Sequence, residues 1–206
     1  KNLVLLGKVE KKELFHDFNP DSAMKLLLSR LENLNDDKIL RALSRELENR
    51  GIQILKQSLF LKHLLVEPGF LTESKPEAEL REDMKYGFEK ARDLGQLDIG
   101  QTVIVKDKMV LAVEAVEGTD AAIRRGGKLG REGIVMAKVS KPGQDFRFDI
   151  PTVGLETLEN LKQVGARGLV IEAGRTFILD KEKFLNRAQN SGIAVWAREA
   201  GGNING

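Results

Sequence analysis

The 206-residue chain contains no cysteine. Disulfides, thiolate metal sites and cysteine nucleophiles are therefore excluded. Histidine is almost missing too: His16 and His63 are the only two. Neither lies in a Ser-His-Asp or HExxH arrangement, and a structural role is the reading for both. No Walker A or GxGxxG pattern occurs, so P-loop chemistry and a complete dinucleotide fingerprint lack support. No apolar run approaches the roughly 20 residues of a membrane span, and no signal-peptide pattern is visible. The net charge is only +2, so no strong field for nucleic acid is expected. Internal repeats and low-complexity tracts are missing as well.

What is present fits a globular protein: 41% hydrophobic and 31% charged residues. The length suits one large domain or two small ones. Leu3–Leu6 reads as a buried strand, with Lys8 just beyond its end. Asp21 caps a helix carrying Met24, Leu27, Leu28 and Leu31. A second helix, from Asn35-Asp36-Asp37, carries Ile39, Leu40, Leu43 and Leu47 and stops at Gly51. Ile52–Leu55 is the next strand. Strand, helices, strand is the end of a parallel βαβ arrangement. Because the chain opens on Lys1 with a strand close behind, earlier βα units are expected to precede it.

The apolar Leu59–Phe70 segment is expected to be buried or a short helix, in preference to a lipid-facing surface. Pro76 suits position N1 of a helix over Glu77–Leu94, closed by Gly95. The domain boundary is placed near 75/76, giving an N-terminal domain 1–75, a C-terminal domain 76–200 and a flexible tail 201–206. Thr102–Val105 and Met109–Val116 flank a hairpin turn. A short helix from Thr119 to Arg125 should end at Gly126-Gly127. Ile134–Val139, Gly168–Ile171, Thr176–Leu179 and Ile193–Trp196 read as strands, and Leu155–Val164 and Lys181–Ser191 as helices.

Chemistry-bearing residues gather after three strand-like runs. The first cluster is Glu117-Gly118-Thr119-Asp120, where a hydroxyl and free N–H groups open a helix. The bland alternative is a capped turn with Asp120 favouring the helix dipole. The second is Lys141-Pro142-Gly143-Gln144-Asp145, followed by Phe146 to Asp149. If that run is a strand, Asp145, Arg147 and Asp149 share one face; the alternative is an ordinary surface ion pair. The third is Glu172-Ala173-Gly174-Arg175. Lys8 at a strand's end is either a phosphate contact or an exposed lysine.

These residues carry a family resemblance over almost the whole chain. Leu97–Gln101, Ala112–Asp120 and Lys141–Gly154, together with Glu172-Ala173-Gly174 and Asp36–Arg41, closely resemble the LpxI family, the UDP-2,3-diacylglucosamine pyrophosphatases of lipid A biosynthesis. The resemblance implies an α/β protein of two domains: a truncated Rossmann-like N-terminal domain and a C-terminal α/β domain with a mixed sheet. It implies cytoplasmic hydrolysis of the UDP-lipid to UMP and 2,3-diacylglucosamine 1-phosphate (lipid X), with Mg²⁺ or Mn²⁺ as cofactor. It further implies contact with the inner-membrane surface, homodimerisation and no nucleic-acid partner. Catalytic roles fall to Asp145, Asp120 and Asp149, and metal ligation to Asp145, Glu117 and Asp120. Substrate binding falls to Lys8, Gln101, Thr119, Lys138, Lys141, Gln144, Arg147, Thr152 and Glu172. Residues of the Leu59–Phe70 segment are expected to meet the acyl chains. The alternative function is a non-catalytic nucleotide-sugar or phospholipid-binding protein of the same fold.

Overall fold

The computed structural model describes residues 1–6, 21–29, 31, 36–73 and 75–201. Lys8, His16 and the tail beyond Gly201 lie outside them. Contacts divide the chain into two units: residues 1–61 with 144–150, and residues 62–143 with 151–206.

In the first unit, β1 (Asn2–Leu3) pairs in parallel with β2 (Gln53–Ile54). Among the described residues, two helices lie between them in sequence, α1 (Ser22–Leu28) and α2 (Asp36–Asn49). Asp21 caps α1 by accepting a 2.8 Å hydrogen bond from the Met24 amide. Gly51 at φ +76° turns the chain out of α2, a conformation costly for any residue with a Cβ. A parallel pair across a helical connection agrees with the βαβ reading; strands of two residues do not define a Rossmann strand order. After β2 comes a single turn, α3 (Ser58–Leu61). The segment thus opens as the short helix that was one form of the expectation, though its Leu59 and Phe60 are not buried, at 65% and 61% exposed.

The second unit is built on a six-stranded mixed sheet of order β3-β10-β8-β6-β4-β5. The strands are β3 (Gly69–Phe70), β4 (Thr102–Lys106), β5 (Met109–Val113), β6 (Val135–Lys138), β8 (Gly168–Glu172) and β10 (Ala194–Arg198). β6, β8 and β10 run parallel; β4 is antiparallel to both β5 and β6. A separate parallel pair joins β7 (Thr152–Val153) to β9 (Phe177–Ile178). Helices cover both faces of the large sheet, so its central strands are continuously apolar. On β4, Val103 and Val105 face α4 (Ala78–Gln96), packing with Met84 and Phe88. Ile104 between them faces the other side, the cluster of Ile123, Leu158, Leu161 and Phe184. Those residues come from α5 (Thr119–Gly130), α6 (Leu155–Gln163) and α7 (Lys181–Asn190). The β4–β5 hairpin turns through Asp107 and Lys108, both at positive φ, and their amides donate to the buried Asp83 carboxylate at 2.7 Å.

Several local expectations give way to packing. Pro76 precedes the N-cap, Glu77, and is not N1 of α4. Gly95 lies inside the last turn of α4. Gly126 and Gly127 are interior to α5 and do not end it. A Cβ on Gly126 would stand 2.5 Å from Ile104 Cγ2, and one on Gly127 2.4 Å from Val164 Cβ. Glycine is needed there for close approach, not for a turn. The contact division falls between Leu61 and Lys62, ahead of the boundary expected near 75/76. Val66 is buried in the second unit's core, and Phe70 stacks on Trp196 at 4.9 Å while pairing with it across β3 and β10.

Candidate functional site

The direction of the strands decides which loops meet. β6, β8 and β10 all end at one edge of the sheet; β5 ends there too, and the antiparallel β4 begins there. Carboxyl ends of parallel strands are where open α/β sheets bind ligands. That edge carries Gln101 and Thr102 before and in β4, Glu114 to Asp120 after β5, Lys138 to Lys141 at the end of β6, and Glu172 to Arg175 after β8.

Lys138 is the centre of this edge. Its side chain is on a fully buried strand, with the residue only 6% exposed. Nζ donates to Thr119 Oγ1 at 2.8 Å, and Thr119 Oγ1 donates to Glu114 Oε1 at 2.7 Å. Cation, hydroxyl and carboxylate thus form one chain across β6, α5 and the end of β5. Thr119 is the first residue of α5 and its hydroxyl does not cap the helix; Gly118 at φ +84° occupies the N-cap. The other Glu114 oxygen, Oε2, is buried without a hydrogen-bond partner, as are Gln101 Oε1 and Thr102 Oγ1. Buried unpaired acceptors cost free energy unless something donates to them.

Beside this chain, Glu172 is 4% exposed and accepts from the Ser140 amide at 2.7 Å and from Ser140 Oγ at 2.6 Å. Arg175 Nη1 reaches Ser140 Oγ at 3.3 Å, and its Nε stands 3.7 Å from Glu172. Glu172 therefore holds the β6 and β8 loops together. Lys141 is ion-paired with Asp98 at 2.8 Å. Asp120 accepts from Asn160 Nδ2 at 2.9 Å, tying α5 to α6. Glu117 pairs with Arg125 at 2.6 Å; bonds to backbone amides, its own first, hold its carboxyl below the usual carboxylate range. Thr152 is half-buried on β7.

Asp145, Gln144, Arg147 and Asp149 belong to the first unit. The expected strand is not formed there. The amides of Phe148 and Asp149 both donate to the Asp145 carbonyl, at 3.2 and 3.0 Å, so 145–149 is a helical turn. A turn of that pitch does not alternate its side chains, and the shared strand face of Asp145, Arg147 and Asp149 falls away. Arg147 instead wraps Asp145: Nε donates at 2.9 and 3.0 Å and Nη2 at 2.7 Å. Its remaining arm, Nη1, pairs with Glu48 of α2 at 2.5 Å. The Arg147 hydrogen bonds hold the Asp145 carboxyl below its ordinary range against the upward push of burial. Gln144 Nε2 donates to Asp149 Oδ2 at 2.6 Å, and the Phe146 carbonyl accepts from the Gln57 amide.

Of the residues expected to hold a metal, Glu117 and Asp120 belong to the second unit and Asp145 to the first. Among the described residues, no three His, Cys, Asp or Glu side chains form a group able to hold an ion. Each expected ligand has another partner: Arg125 for Glu117, Asn160 for Asp120 and Arg147 for Asp145. Sequence reasoning passed over Glu114 and Ser140 as site residues and gave Arg175, named in the third cluster, no role. The signal for Glu114 was its register, two residues beyond the Ala112 that pairs with Ile104. A cavity of about 710 Å³ opens elsewhere, where β6, β8 and β10 begin. Its cations are already paired, Lys162 with Glu159 and Arg167 with Glu77, and it shares no residue with the strand-end cluster.

The family model described as the LpxI C-terminal domain matches residues 67–196, and that of the LpxI N-terminal domain matches residues 1–64. The chain belongs to the LpxI family. It is 36% identical over 168 residues to the UDP-2,3-diacylglucosamine pyrophosphatase LpxI of Caulobacter vibrioides, a match covering 78% of this chain and 60% of that protein. Among solved structures, form 2 of Acinetobacter baumannii RibD aligns at 18% identity and a TM-score of 0.34, over 58% of this chain and 36% of that one. A likeness that low carries no argument. The strand-end cluster falls inside the LpxI C-terminal match, and the Asp145–Arg147 turn lies within the same matched range although it packs in the first unit.

Proposed function

We propose that this LpxI-family chain takes part in hydrolysis of the pyrophosphate bond of UDP-2,3-diacylglucosamine, releasing UMP and 2,3-diacylglucosamine 1-phosphate. The observation that carries the reading is the Lys138–Thr119–Glu114 chain at the carboxyl edge of the sheet. A buried ammonium oriented by a hydroxyl is a preorganised partner for a phosphoryl oxygen, which gains charge as the bond breaks. Thr119, held by Glu114, presents its oxygen to Lys138 and orients the ammonium. Arg175, set beside Ser140 and Glu172, supplies a further donor on the same edge. In the other cluster, Arg147 has the fork geometry that a phosphate accepts in two bonds. A phosphate taking that fork would free the Asp145 carboxylate for proton transfer from water.

Mg²⁺ dependence belongs to the proposal. Mg²⁺ is commonly held by one or two carboxylates together with substrate phosphates, without an all-protein cage. Glu117 and Asp120, the expected ligands of the second unit, are engaged by Arg125 and Asn160, and no step is assigned to the ion. The cytoplasmic location, the inner-membrane contact and a homodimer are likewise proposed. A second reading, a binding protein without turnover, is favoured by the engagement of Glu117, Asp120 and Asp145 with other partners. The test is UMP release from UDP-2,3-diacylglucosamine by the chain, with Mg²⁺ and with EDTA. Release that EDTA abolishes supports the hydrolase. Tight binding of the UDP-lipid with no UMP formed supports the second reading.

A further inference from the structure

The face of the sheet turned away from Lys138 carries an arginine whose neighbours are rings and not acids. Lys138 and Ile171 are register partners, as are Ile171 and Ala197, and this row looks toward α5, α6 and α7. Trp196 and Arg198, on either side of Ala197 in β10, therefore look the other way, toward α4. That helix lies chiefly over β4, β6 and β8, and Trp196 and Arg198 stay partly exposed at its flank. The Arg198 guanidinium carbon stands 4.9 Å from the ring centroid of Phe88 and 4.9 Å from that of Trp196. A ring face attracts a guanidinium but offers no oxygen to its N–H groups.

Those groups are unanswered. Among the described residues no carboxylate pairs with Arg198, and its Nη1 is buried with no acceptor. A buried donor left unmade is costly, and more so on a charged group. The arginines of the strand-end cluster are spent differently: Arg125 on Glu117, Arg175 beside Glu172 and Ser140. Two acids are in position to answer Arg198. Glu172 is its partner in the β8–β10 register, and the Glu172 oxygens go to Ser140 and Arg175. Burial pushes the guanidinium's pKa down from its ordinary value; Glu89 works against this and Arg92 with it. Glu89 thus acts on the charge without closing an ion pair.

We propose that Arg198 anchors an oxyanion site on this face of the sheet, and that its occupant is the phosphate group of a small molecule. The guanidinium fork fits carboxylate and phosphate alike. Glu89 decides between them: a carboxylate already at hand leaves the fork open, whereas a phosphate brings roughly two negative charges and three acceptor oxygens. Arg92, exposed on α4, adds a second cation that favours a dianion over a monoanion. A planar guanidinium resting on two rings is preorganised, so less side-chain freedom is lost for each hydrogen bond formed. Lys138 and Arg198 lie on opposite faces of the sheet, so the site does not depend on the hydrolase reading.

Trp196 is the chain's only tryptophan, so its emission and its indole N–H resonance both report on the site. The test is titration of the full chain with inorganic phosphate, with UMP and with acetate, against sodium chloride at matched ionic strength. Phosphate should move both signals saturably and chloride should not. Arg198→Met keeps an apolar stem over the rings and deletes the cation. Its affinity for phosphate should fall at least about tenfold, the loss expected for hydrogen bonds from a charged donor. Arg198→Lys keeps the charge without the fork and should fall between the two; it also serves if circular dichroism and melting show that Arg198→Met does not fold. UMP binding more tightly than phosphate supports a nucleotide as the source of the group, and equal affinity supports phosphate alone. Signals unmoved by phosphate and UMP alike overturn the proposal. So does wild-type affinity in Arg198→Met or Arg198→Lys, or acetate binding as tightly as phosphate.

Discussion

Arg147 holds Asp145 from two sides of its guanidinium, Nε at 2.9 Å and Nη2 at 2.7 Å, while its third nitrogen pairs with Glu48. The pair is built within a single helical turn, by residues two apart in sequence. Its fork is the geometry that a carboxylate and a phosphate both accept. The arrangement makes Asp145 a carboxylate with a displaceable partner.

Asp145→Asn should abolish UMP release while the fold survives, because Arg147 keeps Glu48. The cost to stability at neutral pH should be about 1 kcal/mol, as for a pair that is partly exposed. The pH dependence has a definite sign. Arg147 lowers the folded pKa of Asp145 below its unfolded value of about 3.9. The pair's contribution is therefore complete above the unfolded value and fades as pH falls through the folded one. Urea unfolding of wild type and Asp145→Asn should differ at pH 7 and draw together as the pH falls below the unfolded value and through the lower folded one. Turnover near that of the wild type would remove Asp145 from the mechanism.

Lys138→Met keeps the length and apolar stem and deletes the charge. UMP release should fall by about 10²-fold, the typical effect of losing one preorganised donor. Thr119→Val should lower it less, since Lys138 remains but is no longer oriented through Glu114. Steady-state kinetics on both variants, with melting curves as the control, check the order. Equal activity of Lys138→Met and wild type would move the phosphate site away from this edge.

Glu172→Ala should destabilise the protein by about 2–3 kcal/mol, because it strips a buried charged acceptor from the Ser140 amide and hydroxyl. The melting midpoint should drop by roughly 4–12 °C at about 2–4 °C per kcal/mol. Glu172→Gln, whose amide oxygen can take the place of Oε2 and accept both bonds, should cost less. Calorimetry decides; an unchanged midpoint in Glu172→Ala would mean that the loops are held by other contacts.

Gly126→Ala runs against helix propensity. Alanine is favoured over glycine inside a helix by about 1 kcal/mol. Here the added methyl would meet Ile104 at 2.5 Å, and overpacking typically costs about 1–3 kcal/mol. The variant should be less stable than the wild type in denaturant unfolding. A gain in stability would show that β4 and α5 separate more readily than their packing suggests.

The sequence by itself determined the run of elements in the second unit: the hairpin about Asp107-Lys108, the strands ending at Lys138 and Glu172, and the helices between them. Period-two and helical patterns are local, and the apolar residues that form them are consecutive or nearly so. It also carried the family, through motifs long enough to be specific. Tertiary structure alone decided which loops share an edge, because that depends on β4 running against β6. It made Gly126 a packing residue, since the steric demand comes from Ile104, 22 positions earlier. It also turned Phe146–Asp149 from an alternating strand into a helical turn and set it in the first unit. There Gln57 and Glu48 supply the hydrogen bond and the charge that the local pattern could not name.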